Sequence, residues 1–445
     1  MGFKIGLLGL GTVGSGVAAI LQDRQGRHPL LQAVELYRVG LRSPDKPRSV
    51  ELPPEAVTTD LNAIVSDPEV DVVVEVIGGL EPARSLILQA IAHGKHVVTA
   101  NKAVISRYGD EIFTAANQAG VYVMIEAAVA GGIPVIQPMK QSMGANRITC
   151  VMGILNGTTN YILTQMQESG RDFADILADA QRLGYAEADP TADVDGLDAG
   201  DKIAILASLA FGGRIKLEDV HREGIRHVSA SDINYADKLG FVIKLLAIAK
   251  HAEASPSNPT TSDASSPLQV RVHATLVPKH HPLASVNDVY NAILLEGEPL
   301  GQVMFFGPGA GAGPTASAVV SDVINVVALL KTGLSAHDPD APLMHPLLSC
   351  AHHSYSDVEP IENLNTRFYV RFLTKDHPGV IGHLGTSFGR HGVSLESLVQ
   401  TGFQGDLAEI VVVTHSVREG DFRTALAEIQ ALEAVDSIPS ILRVL

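Results

Sequence analysis

The chain of 445 residues is too long for one ordinary hydrophobic core and predicts two or three domains. Hydrophobic residues make up 46% and charged residues 18%, a balance typical of a compact intracellular enzyme and not of a disordered chain. The net charge of -16, without a cluster of Lys and Arg, argues against nucleic acid and against an anionic membrane as partners. The two cysteines, Cys150 and Cys350, supply neither a disulfide framework nor the ligand spacing of a zinc site.

The N-terminal segment predicts a strand and not a targeting signal. The opening MGFKIGLLGLGTVGSG lacks the charged-then-apolar order and the cleavage site of a secretory peptide. Uninterrupted apolar runs elsewhere fall short of the ~20 residues that span a bilayer. We therefore expect a cytoplasmic protein that does not bind a membrane.

The first strand leads directly into a glycine-rich turn and a helix. Gly9, Gly11 and Gly14 form a GxGxxG pattern between the strand FKIGLLG and the helical SGVAAILQD. In a dinucleotide-binding fold such glycines let the backbone approach the pyrophosphate, which lies on the helix N-terminus. The pattern predicts cofactor contacts from these glycines and from Thr12 and Val13.

Further strands alternate with helices over residues 1–133, which predicts an α/β domain with a Rossmann-type doubly wound parallel sheet. These strands are VELYRVGL, DVVVEVIGG, HVVTANK and VYVMIEAAV. The second strand ends at Arg42, where an NAD-preferring site has an acidic residue. Arg42, with Lys46 and Arg48 nearby, therefore favours NADP over NAD.

Two more candidate sites follow later strands of this sheet. Lys102 comes after the fourth strand, at the edge where open α/β sheets bind ligands, although a solvated surface lysine is the alternative. Glu126 ends the fifth strand beside a glycine-bent loop. One carboxylate and several loop carbonyls suit a hard cation, and the segment fits that site and an ordinary turn equally well.

An acidic segment ahead of one lysine is the strongest chemical pattern in the chain. LGYAEADPTADVDGLDAGDK offers polar side chains for a substrate pocket at Tyr185, Glu187, Asp193 and Asp198. Lys202 then opens an apolar helix, where desolvation and the helix dipole disfavour its ammonium form unless the aspartates hold its charge. Asp198 and Lys202 are four residues apart, so they share a helix face and can act together in proton transfer. The alternative is a structural ion pair.

A second polar segment, GILNGTTNYIL, lies in an apolar context ahead of another helix. Its residues Gly157 and Thr158 can belong to a simple helix cap or to a loop that binds a small polar substrate.

The remaining chain divides into a second domain, a linker and a terminal module. Residues 134–335 predict an α+β domain with an open mixed sheet, in which the Ser- and Pro-rich stretch 253–267 forms an exposed loop. Residues 336–366 predict a linker. Residues 367–445 show the periodicity of strand, helix, strand, strand, helix, strand, which is the ferredoxin-like arrangement of a small separate module.

Motifs along almost the whole chain make a family resemblance specific. They are GLLGLGTVG, VVVEVIGG, VVTANKA, EAAVAGGIP, GILNGTTNYIL, GYAEADPTADVDGLDAGDKIAILA, VRVHATLVPKHHPLASV and GPGAGAGPTASAVVSD. In this order they resemble homoserine dehydrogenase, and the terminal KDHPGVIGHL resembles an ACT domain. The resemblance implies NAD(P)-dependent interconversion of L-homoserine and L-aspartate 4-semialdehyde, on the route to threonine and methionine.

The resemblance also implies roles for single residues. Lys202 would exchange the substrate's hydroxyl proton, Asp198 would orient substrate and lysine, and Lys102 would be a second active-site lysine. Glu187 would receive the substrate ammonium. The pocket would be lined by Gly157, Thr158, Tyr185 and Asp193.

Cofactor, ion and effector sites follow from the same resemblance. Gly311 would contact the cofactor, NADP or NAD. A sodium ion would bind the Glu126 carboxylate and the backbone carbonyls of Val129, Gly131 and Ile133. An amino-acid effector, threonine first, would bind near residues 376–379, and the second domain would also form a homodimer or homotetramer.

The sequence leaves two alternative functions open. A semialdehyde dehydrogenase on the same scaffold needs a nucleophilic cysteine, but Cys150 lies at the end of a predicted strand without a flanking base. A non-catalytic amino-acid sensor predicts loss of the base, whereas Lys202, Asp198, Glu187 and Lys102 are all present.

Overall fold

The computed structural model describes residues 2–44, 46–252, 266–332, 345, 347–349 and 354–445. They form two compact units. The first comprises Met1–Ile148, Ala204–Leu217 and Glu296–Tyr355, and the second comprises Thr149–Ile203, Glu218–Leu295 and Ser356–Leu445. Most of the predicted loop 253–267, Cys350 and much of the predicted linker 336–366 lie outside the described residues. The predicted domain limits themselves stay a prediction.

The strands of the described residues are β1 Phe3–Leu8, β2 Val34–Gly40, β3 Val57–Thr58, β4 Val72–Glu75, β5 His96–Thr99, β6 Val123–Met124, β7 Arg147–Ile154, β8 His221–Arg222, β9 Phe241–His251, β10 Leu268–Pro278, β11 Tyr290–Glu298, β12 Gly301–Pro308, β13 Asn365–Lys375, β14 Leu395–Gln404, β15 Leu407–Thr414, β16 Val417–Arg418 and β17 Val435–Val444. The α-helices are α1 Thr12–Gln22, α2 Leu61–Ser66, α3 Ala83–Ala92, α4 Lys102–Ala119, α5 Gly157–Ser169, α6 Phe173–Leu183, α7 Thr191–Val194, α8 Leu197–Phe211, α9 Ala230–Lys238, α10 Ala312–Lys331, α11 Val380–Arg390 and α12 Glu419–Gln430.

The first unit is built on a parallel sheet in the order β3-β2-β1-β4-β5-β6. Ile5, Leu7 and Leu8 of β1 and the three valines of β4 are buried, as expected for strands that helices cover on both faces. The strand order reverses direction at β1, next to the glycine turn. The predicted Rossmann-type doubly wound sheet is therefore confirmed, and the reversal is where such sheets bind ligands.

Helix α10 returns the chain to this unit from far along the sequence. A Cβ on Gly16 of α1 would lie 2.6 Å from the carbonyl oxygen of Ala312, so the two helix backbones approach closely. Among the described residues, α10 is the one helix long and apolar enough to cross a membrane by length and composition. Val319, Val323 and Val326 on α10 are fully buried in the core of the first unit, which makes α10 a core helix.

The second unit is built on a mixed sheet, as predicted. Its strands follow the order β11-β7-β9-β10-β17-β13-β15-β14. β9 pairs antiparallel with both β7 and β10, whereas β10 pairs in parallel with β8 and β17. β10 is buried over almost its full length, including polar side chains such as Gln269, Arg271 and His273.

The C-terminal segment has the predicted strand and helix order, with β16 as a two-residue addition. Its antiparallel order β17-β13-β15-β14 is ferredoxin-like, and α11 and α12 pack against it around the stacked rings of Phe368 and Phe422. One strand of this module also pairs with a strand outside it. The ends of β17 and β10 pair, Arg443 with Thr275 and Val444 with Leu276, so the two sheets are continuous.

Other differences from the sequence predictions concern three short elements and the start of helix α8. The two-residue strands β3 and β8 and the single turn α7 offer too few residues for a recognisable period. Helix α8 begins at Leu197, just after Gly196 with its positive φ of 76°, and not at Lys202. Lys202 therefore lies in the second turn of α8, with Asp198 in the first.

His96 at the start of β5 predicts a loss of stability in acid. Its Nδ1 accepts the backbone N–H of Tyr122 at 3.0 Å, its ring stacks on that tyrosine, and burial lowers its pKa to about 4. Between pH 6.5 and 4 the unfolded chain binds this proton and the folded chain does not, so stability falls as the pH falls. The full pKa shift would correspond to a larger change, but the ring is only partly buried. We therefore expect His96 to lower the free energy of unfolding by about 2 kcal/mol over this pH range.

Urea unfolding at pH 6.5 and pH 4.5 tests this, with His96→Asn beside the wild type, since the asparagine oxygen can accept the same amide. The variant should lose less free energy of unfolding over that interval. Equal losses in the two proteins would contradict the assignment to His96.

Candidate active site

Helix α8 holds Lys202 and Asp198 together on one face, as their spacing predicts. Lys202 Nζ donates to Asp198 Oδ2 at 2.6 Å and to the carbonyl oxygen of Leu155 at 2.6 Å. Lys202 and Asp198 are 8% and 9% exposed, so this ion pair is largely removed from water. A carbonyl and a carboxylate thus fix the ammonium group at one position, which is what directed proton transfer requires.

Asn156 connects this pair to the start of α5. Its Nδ2 donates to Asp198 Oδ2 at 3.0 Å and to Asp193 Oδ1 at 2.6 Å. Its Oδ1 accepts the backbone N–H of Thr159, which caps α5. The polar segment therefore is a helix cap and also part of the Asp198–Lys202 cluster. Asn156 is the residue of this cluster that the site prediction omitted.

The other predicted substrate residues surround the start of α5 and the segment after α6. Burial raises the pKa of Asp193, and the nearby Asp198 charge adds to the effect. Thr158 Oγ1 donates to the carbonyl oxygen of Tyr185 at 2.8 Å. Tyr185 and Glu187 are exposed, and a Cβ on Gly157 would lie 2.7 Å from the carbonyl oxygen of Val289. The chain thus carries an exposed tyrosine and an exposed carboxylate shortly before the buried Asp198–Lys202 pair.

The glycine turn of the first unit fits a dinucleotide. Gly9 has a φ of 104°, and a Cβ on Gly14 would lie 2.0 Å from the Gly9 carbonyl oxygen, so both positions require glycine. Gly11 is the N-cap of α1 without a side-chain cap, and a Cβ there would have no atom within 4 Å. Helix α1 starts at Thr12 and Val13, so its first amides are available to a pyrophosphate.

The predicted cofactor residues outside the turn lie in the same unit. Arg42 is exposed, two residues after the end of β2 at Gly40. The Arg48 guanidinium donates to the carbonyl oxygens of Ser43 and Lys46 at 2.6 and 2.7 Å, and these bonds hold its positive charge against that loop. Gly311, with a φ of 120°, is the N-cap of α10, and Lys102 is the first residue of α4 after β5.

Glu126 is buried beyond β6 and meets a second buried carboxyl group. Its Oε1 accepts the amides of Val135 and Ile136 at 2.7 and 2.8 Å, and its Oε2 accepts that of Gln137. Its own amide donates to Asp322 Oδ2 at 2.8 Å. Burial raises the pKa of both carboxyl groups. The pKa of Asp322 is raised well above its ordinary value, because the nearby charge of Glu126 adds to the effect of burial. A bound cation would offset this repulsion.

The loop after Glu126 supplies the predicted carbonyl donors Val129, Gly131 and Ile133. Ala130 and Gly131 have φ values of 55° and 50°, so the backbone turns sharply between these carbonyls. A Cβ on Gly131 would lie 2.4 Å from the Gly309 carbonyl oxygen, which restricts the position to glycine. One carboxylate with several carbonyl oxygens is chemically suited to a hard cation. The described residues contain no group of three His, Cys, Asp or Glu side chains that suits a metal ion.

The C-terminal module contains a cavity of about 230 Å³ at the predicted effector position. It is lined by Thr374, Asp376, His377, Gly379, Gln400 and Ile410, among others. Gly379, with a φ of 96°, is the N-cap of α11 and has no side-chain cap, so the first amides of α11 are available to a carboxylate.

A dinucleotide cradle on a Rossmann-type sheet and a buried Asp–Lys pair define a dinucleotide-dependent oxidoreductase that carries a C-terminal ferredoxin-like module. The chain is 67% identical over 445 residues to the homoserine dehydrogenase of Synechocystis sp., and all of both chains is covered. It therefore belongs to the homoserine dehydrogenase family, and it is an oxidoreductase that acts on a CH–OH group.

Family models and other relatives agree with this assignment. The homoserine dehydrogenase model matches residues 134–324, the homoserine dehydrogenase NAD-binding domain matches 9–126, and the ACT domain matches 368–434. The Bacillus subtilis homoserine dehydrogenase is 40% identical over 99% of this chain and 98% of its own. A crystal structure of a homoserine dehydrogenase from Thiobacillus denitrificans is similar with a TM-score of 0.89 and 39% identity, covering 100% of this chain and 98% of the other.

A more distant solved relative is bound to its cofactor. A hyperthermophilic archaeal homoserine dehydrogenase in complex with NADPH has a TM-score of 0.59 and 25% identity over 74% of this chain and 98% of its own. For this chain, the match to the homoserine dehydrogenase NAD-binding domain over residues 9–126 supports a nicotinamide dinucleotide as the cofactor class.

Proposed function

We propose that Lys202 is the general acid and base of this homoserine dehydrogenase. The observation that carries the proposal is the buried Lys202 Nζ, fixed at 2.6 Å from both Asp198 Oδ2 and the Leu155 carbonyl. A nicotinamide dinucleotide held at the glycine turn of Gly9, Gly11 and Gly14 would supply the acceptor for the hydride from C4 of L-homoserine. Neutral Lys202 takes the hydroxyl proton as the C–O bond becomes a carbonyl, and it returns that proton in the reductive direction. Asp198 stabilises the ammonium form that results.

The remaining site residues bind and orient the substrate in this proposal. Glu187 pairs with the substrate ammonium group, and Lys102 is the second active-site lysine. The pocket is completed by Gly157, Thr158, Tyr185 and Asp193. Asn156 bonds Asp193 and Asp198 at once, so it keeps both carboxylates in place.

Reduced-nicotinamide absorbance after mixing the enzyme with L-homoserine and NADP tests the reaction, and NAD in place of NADP tests the preference. We propose NADP as the better cofactor, because the exposed Arg42 follows β2 where an acidic residue would favour NAD. A higher kcat/KM with NAD would overturn that preference and leave the proposed reaction unchanged.

Absence of turnover with either cofactor, from folded protein, would favour the non-catalytic sensor. The semialdehyde dehydrogenase alternative lacks support, since Cys150 is buried in β7.

A sodium site at Glu126 is also proposed, with the carbonyl oxygens of Val129, Gly131 and Ile133. Its support is the pair of buried carboxyl groups, Glu126 and Asp322, whose charges a cation would balance. We expect a higher Tm in sodium chloride than in tetramethylammonium chloride at equal ionic strength, because a ligand that binds only the folded state stabilises it, by about 2.7 kcal/mol at a hundred times its Kd.

Glu126→Gln should lose this sodium-dependent rise in Tm, whereas Glu35→Gln, at an exposed position on β2, should keep it. The same Tm for the wild type in both salts would contradict the sodium site.

The ACT domain is proposed to bind threonine in the cavity at residues 376–379. We expect L-threonine to inhibit the enzyme and Asp376→Ala to raise the half-inhibitory threonine concentration at least tenfold, since the variant removes a carboxylate that can hold the effector's ammonium. Without threonine its kcat should equal that of the wild type. Asp406→Ala, in an exposed turn of the same module, is the matched control. Unchanged inhibition of the Asp376 variant would move the effector site elsewhere.

A homodimer or homotetramer in the cytoplasm completes the proposal. Leu300, Met304 and Phe306 are exposed on or next to β12, with Phe306 55% accessible, and large apolar side chains grouped in this way are typical of a protein interface.

A further inference from the structure

A buried cluster of charged side chains joins the ACT domain to the catalytic part of the second unit. At its centre is Arg371 on β13, which is 4% exposed. Its Nε donates to Asp232 Oδ1 at 2.8 Å, its Nη1 to Glu409 Oε1 at 2.9 Å and its Nη2 to Ser229 Oγ at 3.0 Å. The guanidinium thus bonds one residue of the ACT domain, Glu409, and two at the start of α9, Ser229 and Asp232.

Two tyrosines complete this Arg371 cluster. Tyr369 Oη donates to Asp232 Oδ1 at 3.1 Å, and Tyr235 Oη on α9 donates to Glu409 Oε2 at 3.1 Å. The contacts therefore cross between β13, β15 and α9 in both directions. Asp232 is fully buried and also forms the capping box of α9 with Ser229, so the same carboxylate fixes the helix start and the ACT strand.

The cluster continues by hydrogen bonds to the substrate side. The amide of Ala230, between Ser229 and Asp232, donates to Asp172 Oδ1 at 3.0 Å. Asp172 is the N-cap of α6, and the segment that follows α6 carries Tyr185, whose carbonyl oxygen accepts the Thr158 hydroxyl. The position of α9 is therefore connected through α6 to the start of α5, where the predicted substrate residues lie.

The cluster shares two strands with the effector cavity. Glu409 precedes Ile410 on β15, and Arg371 lies three residues before Thr374 on β13. Both Ile410 and Thr374 line the cavity. A ligand that shifts β13 against β15 would change the geometry of the Arg371–Glu409 pair directly.

Stability alone is a weak reason for such a cluster. Replacing a buried ion pair by well-packed apolar residues is often neutral or stabilising, and the best-attested use of buried charge is to select one register or one of two states. Bonds of the cluster reach α9 and α6, and its residues Arg371 and Glu409 share strands β13 and β15 with the effector cavity. From this we infer that Arg371 is a positioning residue: it fixes the substrate residues Thr158 and Tyr185 and transmits the effector state to them. The second half of this inference rests on the threonine site proposed above.

Arg371→Met tests the inference in the full-length enzyme, with Arg367→Met as the matched control. Arg367 lies on the same strand, but its guanidinium pairs with Glu396 of the ACT domain at 2.6 Å and not with α9. For Arg371→Met we expect a KM for L-homoserine at least fivefold higher, with kcat and the Kd for NADPH within twofold of the wild type. Inhibition by L-threonine should be lost while calorimetry still detects threonine binding.

Two further variants test the inference if Arg371→Met does not fold. Asp232→Asn keeps the shape of the partner and should show the same raised KM and lost inhibition, and Arg371→Lys should restore part of both. A folded Arg371 or Asp232 variant with the KM of the wild type would overturn the positioning role. Loss of threonine binding along with inhibition would overturn the transmission role. If threonine neither binds nor inhibits the wild type, the proposed effector fails, and the KM comparison still decides the role of Arg371.

Discussion

Lys202→Ala should lower kcat for L-homoserine oxidation by about 10³-fold or more, at the upper end of what one general acid or base contributes. The reason is that the hydroxyl proton then has no positioned acceptor, while Asp198 and Asn156 stay in place. KM for L-homoserine should change much less, since in the proposed site Glu187 and not Lys202 binds the substrate ammonium. Steady-state kinetics of NADP reduction measure both quantities.

The variant also leaves the buried Asp198 carboxylate without its cation, so loss of folding must be separated from loss of the base. Tm and the Kd for NADPH provide that check, because the dinucleotide cradle lies in the first unit and Lys202 in the second. Lys279→Ala is the matched control, since Lys279 forms an exposed pair with Asp237. Added primary amines should restore part of the variant's turnover. A folded variant within tenfold of the wild-type kcat would assign Lys202 to the structural ion pair that its sequence also allowed.

Local spacing made the Asp198–Lys202 pair predictable, because one helical turn separates the two residues. Asn156 could not be assigned to it in the same way. It lies 37 residues from Asp193 and 42 from Asp198, and its position next to β7 is set by tertiary packing. The contact of Asp322 could not be predicted for the same reason, because it accepts the amide of Glu126, which lies 196 residues away in the sequence. Periodicity describes one element at a time, so it does not predict contacts between elements that are distant in the sequence.

The C-terminal module illustrates the same limit at the level of the fold. Its strand and helix order followed from periodicity, and its ferredoxin-like sheet was predicted correctly. The pairing of β17 with β10 was not predictable, because only two residue pairs make it and neither has a distinctive pattern. The buried Arg371, Asp232 and Glu409 join the module to α9 by charge. In the sequence of β13, Arg367, Tyr369 and Arg371 alternate with Phe368, Val370 and Phe372, which looks like any half-exposed strand.

Gly14→Ala and Gly11→Ala should separate the two roles of glycine in the dinucleotide turn. At Gly14 the added Cβ would lie 2.0 Å from the Gly9 carbonyl oxygen, a backbone atom that cannot move without displacing α1 from β1. Overpacking of this kind costs about 3 kcal/mol, so the Gly14 variant should show a clearly lowered Tm and, as a result, little activity. Thermal unfolding without cofactor measures this effect directly.

At Gly11 the outcome should be the reverse. Its φ of -82° suits alanine, and the added Cβ would have no protein atom within 4 Å, so Tm without cofactor should fall by no more than the small penalty of an alanine N-cap. That open space is where a pyrophosphate resting on the first amides of α1 must approach. We expect the Kd for NADPH, followed by fluorescence titration, to rise at least tenfold in Gly11→Ala. Unchanged NADPH affinity in that folded variant would show that the cofactor does not lie against Gly11, whereas an unchanged Tm for Gly14→Ala would mean that the turn can relax.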